Sequence, residues 1–322
     1  MGGSMTLSDG LARYGTAIAL TVLIAVNLAI TPNFATLQTL NVNLTQVCTI
    51  VIVAVGMTLV IATGGIDLSV GSLMAISGAI APMIFMGKLI EIGSIHAAVA
   101  LAMIAAILVA TLFGAFNGWL IARFRIQPIV ATLVLFIAGR GIAQVMTNGN
   151  LQVFKVPEFQ GIGLGRVFGL PVQVILMGMI VAAAAWALRR TTFGGQVLAI
   201  GGNERAARLA GIATGRVKIA VYAISGALAG VAGLIVIAIN SASDANLVGM
   251  GMELDAIAAV AVGGTLLSGG RATIIGTLLG ALTIQLVRYT LLANGVPDAA
   301  ALVVKAAIII GAVWVQERGR MA

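Results

Sequence analysis

The chain has 322 residues, of which 60% are hydrophobic and 9% charged. Soluble domains carry about 25% charged residues, so this composition excludes a soluble globular protein and indicates a single transmembrane domain over residues 1–322. The net charge of +8 comes from basic residues scattered at the ends of apolar runs, which excludes a basic nucleic-acid face and fits the positive-inside rule.

A bilayer span needs about 20 apolar residues. Candidate runs fall at 13–31, 47–63, 70–87, 97–122, 129–146, 173–188, 218–240, 255–267, 272–293 and 299–316. The expected fold is all-α, a polytopic helix bundle of about ten spans. The first run lacks the basic flank and small-residue cleavage site of a secretory signal. Cys48, the single cysteine, lies in the second run, so an intramolecular disulfide is excluded. The eighth run is too short to cross and reads as a broken or re-entrant segment. Forty-one glycines suit close helix packing in lipid, and packing is the default reading of most of them, isolated ones such as Gly114 included.

The second and third runs are joined by an interruption. Gly56–Ile80 reads GMTLVIATGGIDLSVGSLMAISGAI, broken at Gly64, Gly65, Asp67 and Ser69. Gly263–Gly270 reads GGTLLSGG, an echo carrying Gly263, Gly264, Ser268 and Gly270, so both copies fit GGxxLSxG. Paired glycine-broken segments mark transporters built from internal repeats. A broken helix frees backbone groups that protein or a water-filled cavity must satisfy, and an ionisable residue there is a functional candidate. Two readings stand for Asp67: a turn or helix-capping aspartate at the cytoplasmic edge, or a carboxylate shaping the gate or path. Ser69 is a candidate for the path or gate together with Gly64, Gly65, Gly263 and Gly264; the alternative for Ser69 and Ser268 is a hydroxyl that caps the helix that follows. Asn117 either lines a path or makes an interhelical hydrogen bond, and Gln144 and Gln285 are expected to make interhelical hydrogen bonds. Arg140 requires a carboxylate, carbonyl or water partner. Asp67 and Asp255 are the only carboxylates near spans with a plausible inward position.

Two connections are long. Residues 147–172 are expected outside, and 189–217, rich in positive charge, in the cytoplasm. With both termini cytoplasmic, 12 of the 18 basic residues fall inside, an asymmetry that orients the chain. The inner loop carries a helix signature. Asn203 is a good N-cap, Glu204 and Arg208 are spaced for an i, i+4 ion pair, and Gly211 is a C-terminal stop. The segment Asn203, Glu204, Arg205, Ala206, Ala207, Arg208, Leu209 to Gly211 is therefore a short exposed helix. Alone it has little reason to be stable, so it is expected to dock.

Chemistry is conspicuously missing. There is no GxxxxGK[ST] phosphate loop, and a single histidine, His96, excludes HExxH and multi-histidine metal sites. No nucleophile and base stand at a meaningful spacing. The expectation is a chain with no catalytic residue, no metal and no bound cofactor.

The stretch GMTLVIATGGIDLSVGSLMA at Gly56–Ala75, IQPIVATLVLFIAGRGIAQ at Ile126–Gln144, AIGGNERAARLAGI at Ala199–Ile212, YAISGALAGVAG at Tyr222–Gly233 and AVGGTLLSGGRATIIGTLLGA at Ala261–Ala281 resemble permease subunits of bacterial ATP-binding-cassette importers for monosaccharides. The resemblance is to the ribose and galactofuranose type, and in motif it is nearest to the galactofuranose permeases. The resemblance implies a bacterial inner-membrane protein with a separate cytoplasmic ATPase, a periplasmic sugar-binding protein and a second permease chain, identical or homologous. ATP then acts through the partner, and Asn203–Gly211 matches the family's coupling helix. An ion-coupled secondary transporter is the alternative. It would want intramembrane acids as relays, of which this chain has almost none. A membrane-embedded enzyme is disfavoured by the absent catalytic groups.

Overall fold

The structure, a computed structural model, describes residues 7–297, 299–304, 306–308 and 310–311. Twelve helices account for most of it: α1 (Leu7–Ile30), α2 (Leu37–Ala62), α3 (Val70–Phe85), α4 (Ile95–Phe124), α5 (Pro128–Thr147), α6 (Pro157–Leu164), α7 (Val172–Arg190), α8 (Thr192–Gly202), α9 (Glu204–Leu209), α10 (Thr214–Asn240), α11 (Met252–Val262) and α12 (Ile274–Ala293). The residues described from 299 onward are also helical.

Among the described residues, six helices are long and apolar enough to cross a membrane: α2, α4, α5, α7, α10 and α12. The apolar part of α1, Gly15–Ile30, and α3 are shorter, and α11 has only 11 residues. All ten expected runs contain helix, but a count of ten spans is not established by these lengths. The last run, 299–316, lies partly outside the described residues.

Start signals are local and readable. The Thr36 hydroxyl accepts from the Thr39 N–H at the head of α2, Thr191 from Gly194 at α8, and Thr273 from Gly276 at α12. Proline opens α5 and α6 at the first turn, where its missing N–H costs nothing.

Helix α2 is the hub: every residue from Val47 to Ala62 is buried. A helix apolar all round belongs inside. Helices α7, α10, α11 and α12 surround it. Helix α4 meets α10 through small residues one turn apart. A side chain at Gly114 would run into the Tyr222 carbonyl, and one at Gly118 would lie 2.7 Å from the Ile219 Cα. Gly114 is thus a packing glycine, the role expected by default for these small residues. With lipid as apolar as the helices, such backbone approach is what drives association.

The two long connections lie at opposite ends of α7. Residues 148–171 hold more structure than expected. They include α6, and Gln152–Val153 pairs antiparallel with Ala242–Ser243. Phe154 meets Phe85 edge-on and Phe159 meets it tilted, each with centroids 5.0 Å apart. At the other end, α8 precedes the expected short helix and was not anticipated.

Candidate functional site

Both interruptions close their helices with the same backbone device. After α2, Gly64 takes φ +80°, its N–H donates to Ile61 O at 2.8 Å, and the Gly65 N–H reaches Val60 O at 3.2 Å. After α11, Gly264 takes φ +80°, donating to Ala261 O at 3.0 Å, and the Thr265 N–H reaches Val260 O at 3.2 Å. This pair of bonds is a helix C-terminal motif that needs a left-handed residue. The structural equivalent of Gly64 is therefore Gly264, one residue later than the GGxxLSxG alignment puts it. Gly65 and Gly263 have ordinary φ and serve close approach instead. A Cβ on Gly65 would collide with the Tyr222 hydroxyl, and one on Gly263 with the Gly276 backbone.

Asp67 is fully buried. Its Oδ1 accepts from the Ser69 N–H at 3.0 Å and the Ser69 hydroxyl at 2.6 Å, and its Oδ2 from the Ser225 hydroxyl at 2.8 Å. Asn117 Nδ2 donates to Ser69 Oγ at 3.1 Å, leaving its buried Oδ1 without a partner among the described residues. Tyr222 Oη donates to Ile66 O at 3.4 Å. Asp67 thus holds the entrance of α3 inside the bundle, against α4 and α10, and does not lie at an exposed turn. Ser69 makes no cap bond of its own; its hydroxyl donates to Asp67. Ser268 does not cap α12, a role taken by Thr273.

The interruptions also touch each other. The Gly270 N–H donates to Ala62 O at 3.1 Å, and a Cβ on Gly269 would lie 2.8 Å from the Gly64 nitrogen. The end of α8 completes a three-way contact. A Cβ on Gly201 would overlap both the Ala62 carbonyl and the Gly270 nitrogen, and one on Gly270 would lie 2.9 Å from the Gly202 Cα. Backbone meets backbone from three segments, with no side chain between them.

Immediately after Gly202 comes α9, in the form its sequence dictates. Asn203 Oδ1 accepts from the Ala206 N–H at 3.0 Å, and Gly211 stops the helix at φ +84°. Glu204 pairs with Arg208 at 3.3 Å and with Lys218 of α10 at 2.7 Å. Burial would raise the Glu204 carboxyl, but the hydrogen bond and charge of Lys218, with Arg208, hold it below the usual carboxylate range. Ala207 is buried, Arg205 is exposed, and Leu209 is 90% exposed. An open vestibule beside α9 is lined by Arg205, Arg208 and Lys218 on one side and by Thr63 and Gly64 on the other.

The reading of the residues missed three participants. Ser225 and Tyr222 lie on an apolar helix whose spacing gives no sign of a carboxylate opposite. Glu253 is 8% exposed, so Asp67 and Asp255 are not the only carboxylates turned inward. Arg140 finds carbonyl partners, Ala245 O at 2.8 Å and Val248 O at 2.6 Å. No group of three or more metal-ligating side chains occurs among the described residues.

The family described as branched-chain amino acid transport system / permease component matches residues 40–313. Ribose import permease protein RbsC of Escherichia coli (strain K12) is 44% identical over 306 residues, 94% of this chain and 92% of the relative. Galactofuranose transporter permease protein YtfT of the same strain is 40% identical over 277 residues, 85% and 78% of the two chains. Fructose import permease protein FruF of Bifidobacterium longum (strain NCC 2705) is 37% identical over 248 residues, 76% and 67%. The identities do not favour the galactofuranose type over the ribose type. No solved structure matches the chain. Agreement across most of both chains establishes that the chain belongs to the permease components of this transport family.

Proposed function

We propose that this chain is the permease subunit of an ATP-driven monosaccharide importer in the bacterial inner membrane. Relatives named for ribose, galactofuranose and fructose share a monosaccharide as their transported class, which supports that substrate and not one particular sugar. The single domain holds about ten helical segments in the membrane: the six long spans, with α1, α3, the helix beginning at 299 and the short, broken α11. The α9 end and both termini face the cytoplasm. A periplasmic binding protein delivers sugar at the other end, and a second permease chain, identical or homologous, completes the path. A separate ATPase subunit hydrolyses ATP, and this chain binds no cofactor.

The observation that carries the mechanism is the three-way glycine contact. Helix α9 is the coupling helix: Asn203, Glu204, Arg205, Ala206, Ala207, Arg208 and Leu209 form it and Gly211 ends it. Arg205, Arg208 and the projecting Leu209 meet the ATPase. Displacing α9 moves Gly201, which bears directly on Ala62 and Gly270. Packed contacts of this kind have discrete arrangements and do not yield gradually, so motion at α9 reaches both interruptions together. Gly64 and Gly264 supply the left-handed turns, Gly65 and Gly263 the close packing. Asp67, Ser69 and Asn117 hold α3 as the gate element while the bundle alternates between outward and inward access.

The test is uptake into proteoliposomes holding the permease, its ATPase and its binding protein. D-ribose, D-fructose and D-galactose serve as labelled probes. The expected result is ATP-dependent accumulation of at least one of them, indifferent to ionophores. Uptake that needs an ion gradient and not ATP would overturn the reading in favour of a secondary transporter.

A further inference from the structure

Between α10 and α11 the chain does not stay at the surface of the bundle. Ser243 lies beside Gly78, halfway along α3, and Gly249 packs on Gly71 and Met74 near the start of α3. Residues 244–251 therefore run inward as a series of turns. Arg140 meets them from α5, twelve residues beyond Pro128, about 18 Å along that helix at 1.5 Å per residue. Its Nη1 bonds Ala245 O and Val248 O, and its Nη2 bonds Gly71 O at 3.4 Å. One turn on, Gln144 Nε2 donates to Asn246 Oδ1 at 2.7 Å, and Asp244 accepts from the Asn246 backbone and side chain. Behind them Glu253 Oε2 is buried with no partner among the described residues. It lies 2.6 Å from where a Cβ on Gly71 would stand.

This cluster is not sealed. Asn246 is exposed, and Arg140, Gln144 and Asp244 are half-buried. Irregular backbone and charged side chains at this depth cannot face lipid; they face protein or a water-filled cavity. The groups offer both donors and acceptors. An arginine carries five N–H donors, of which the bonds among the described residues occupy three. Exposed Ile137 and Met250 flank the polar groups with apolar surface, as the mixed faces of a sugar ring require.

We infer that α5 around Arg140 and the inward segment 244–251 form a sugar-contacting wall of the translocation path. It takes a neutral polyhydroxylated monosaccharide through hydrogen bonds from Arg140, Gln144 and Asn246 and to Asp244. The inference rests on the reading of the chain as a sugar permease and adds the place where sugar touches it.

The test uses single cysteines, Asn246→Cys and Ile137→Cys, in a Cys48→Ala background, within the complete transporter in membranes. The probe is a membrane-impermeant methanethiosulfonate reagent, and Leu112→Cys, on the exposed apolar side of α4, is the lipid-facing control. Both path positions should react at least tenfold faster than Leu112→Cys. Reaction should then cut uptake of the transported probe sugar at least tenfold relative to the same variant unlabelled. Excess sugar, with ATP present, should slow the labelling. Reaction rates equal to that of Leu112→Cys at both positions would overturn the wall. Spontaneous Asn246→Cys disulfide dimers without labelling would also overturn it, by seating a second chain on the face. Fast labelling in a transporter that moves none of the three sugars would leave a wet path but overturn the substrate class.

Discussion

Asp67 illustrates how one side chain is held by several weak constraints. Three donors converge on it in a dry site: the Ser69 N–H, the Ser69 hydroxyl and the Ser225 hydroxyl. Removing the carboxylate leaves those donors unpaired, at about 1–3 kcal/mol for a buried unsatisfied group. Asp67→Ala should abolish uptake while the protein still reaches the membrane. Asp67→Asn, which keeps an accepting oxygen, should be intermediate. Uptake per inserted molecule is the measurement, and parental transport by Asp67→Ala would remove the residue from the gate. The neighbouring glycines separate by cause. Gly64→Ala forces a left-handed alanine, costing about 1–2 kcal/mol, in space that is otherwise open. Gly65→Ala instead meets the Tyr222 hydroxyl. Tyr222→Phe should therefore rescue the thermal stability of Gly65→Ala and not that of Gly64→Ala. Equal rescue of both would contradict the assignment. Glu204 gives a pH prediction of known sign. Its folded carboxyl is held below the usual range, so its contribution is present above the ordinary value of about 4.3 and is lost as pH falls through the lower folded value. A titration of the Glu204 side-chain carboxyl by NMR should show a midpoint below that of an unperturbed glutamate, moving up in Lys218→Gln. An unchanged midpoint would remove Lys218 as the cause.

Among the elements, α9 was the most legible and α11 the least. Six residues of helix are too few to persist unaided. The Asn203 cap, the Glu204–Arg208 pair and the Gly211 stop are short-range features that a sequence displays openly. The Lys218 bond, fourteen positions away, is not. Reversing charge at both Arg205 and Arg208 should leave insertion intact and uncouple hydrolysis from uptake, read as ATPase activity retained with sugar accumulation lost. Normal accumulation would place the ATPase contact elsewhere. Helix α11 was expected at 255–267 and observed at Met252–Val262. The apolar run continues past its end, because Gly264 stops the helix from the backbone side while Leu266 and Leu267 keep the hydropathy high. Glycine content marked where both helices break. The register of the two breaks was hidden, since only φ distinguishes a turning glycine from a packing one.

Across the whole molecule, the apolar runs revealed the all-helical architecture because lipid leaves the backbone few alternatives. They could not show which segments meet. Asp67 with Ser225, Arg140 with Val248 and Gly201 with Ala62 are separated by 158, 108 and 139 positions, and no local pattern encodes such pairs. The central claim is that force from the coupling helix passes through the glycine contact to both broken helices. Gly201 and Gly202 provide a matched pair: a Cβ on the first overlaps Ala62 and Gly270, and one on the second meets nothing within 4 Å. The decisive measurement is sugar uptake and ATP hydrolysis on the same proteoliposomes, for Gly201→Ala and Gly202→Ala beside the parent. The account predicts that Gly202→Ala transports normally, while Gly201→Ala hydrolyses ATP yet loses at least tenfold in uptake per ATP. Parental uptake per ATP in Gly201→Ala would contradict it.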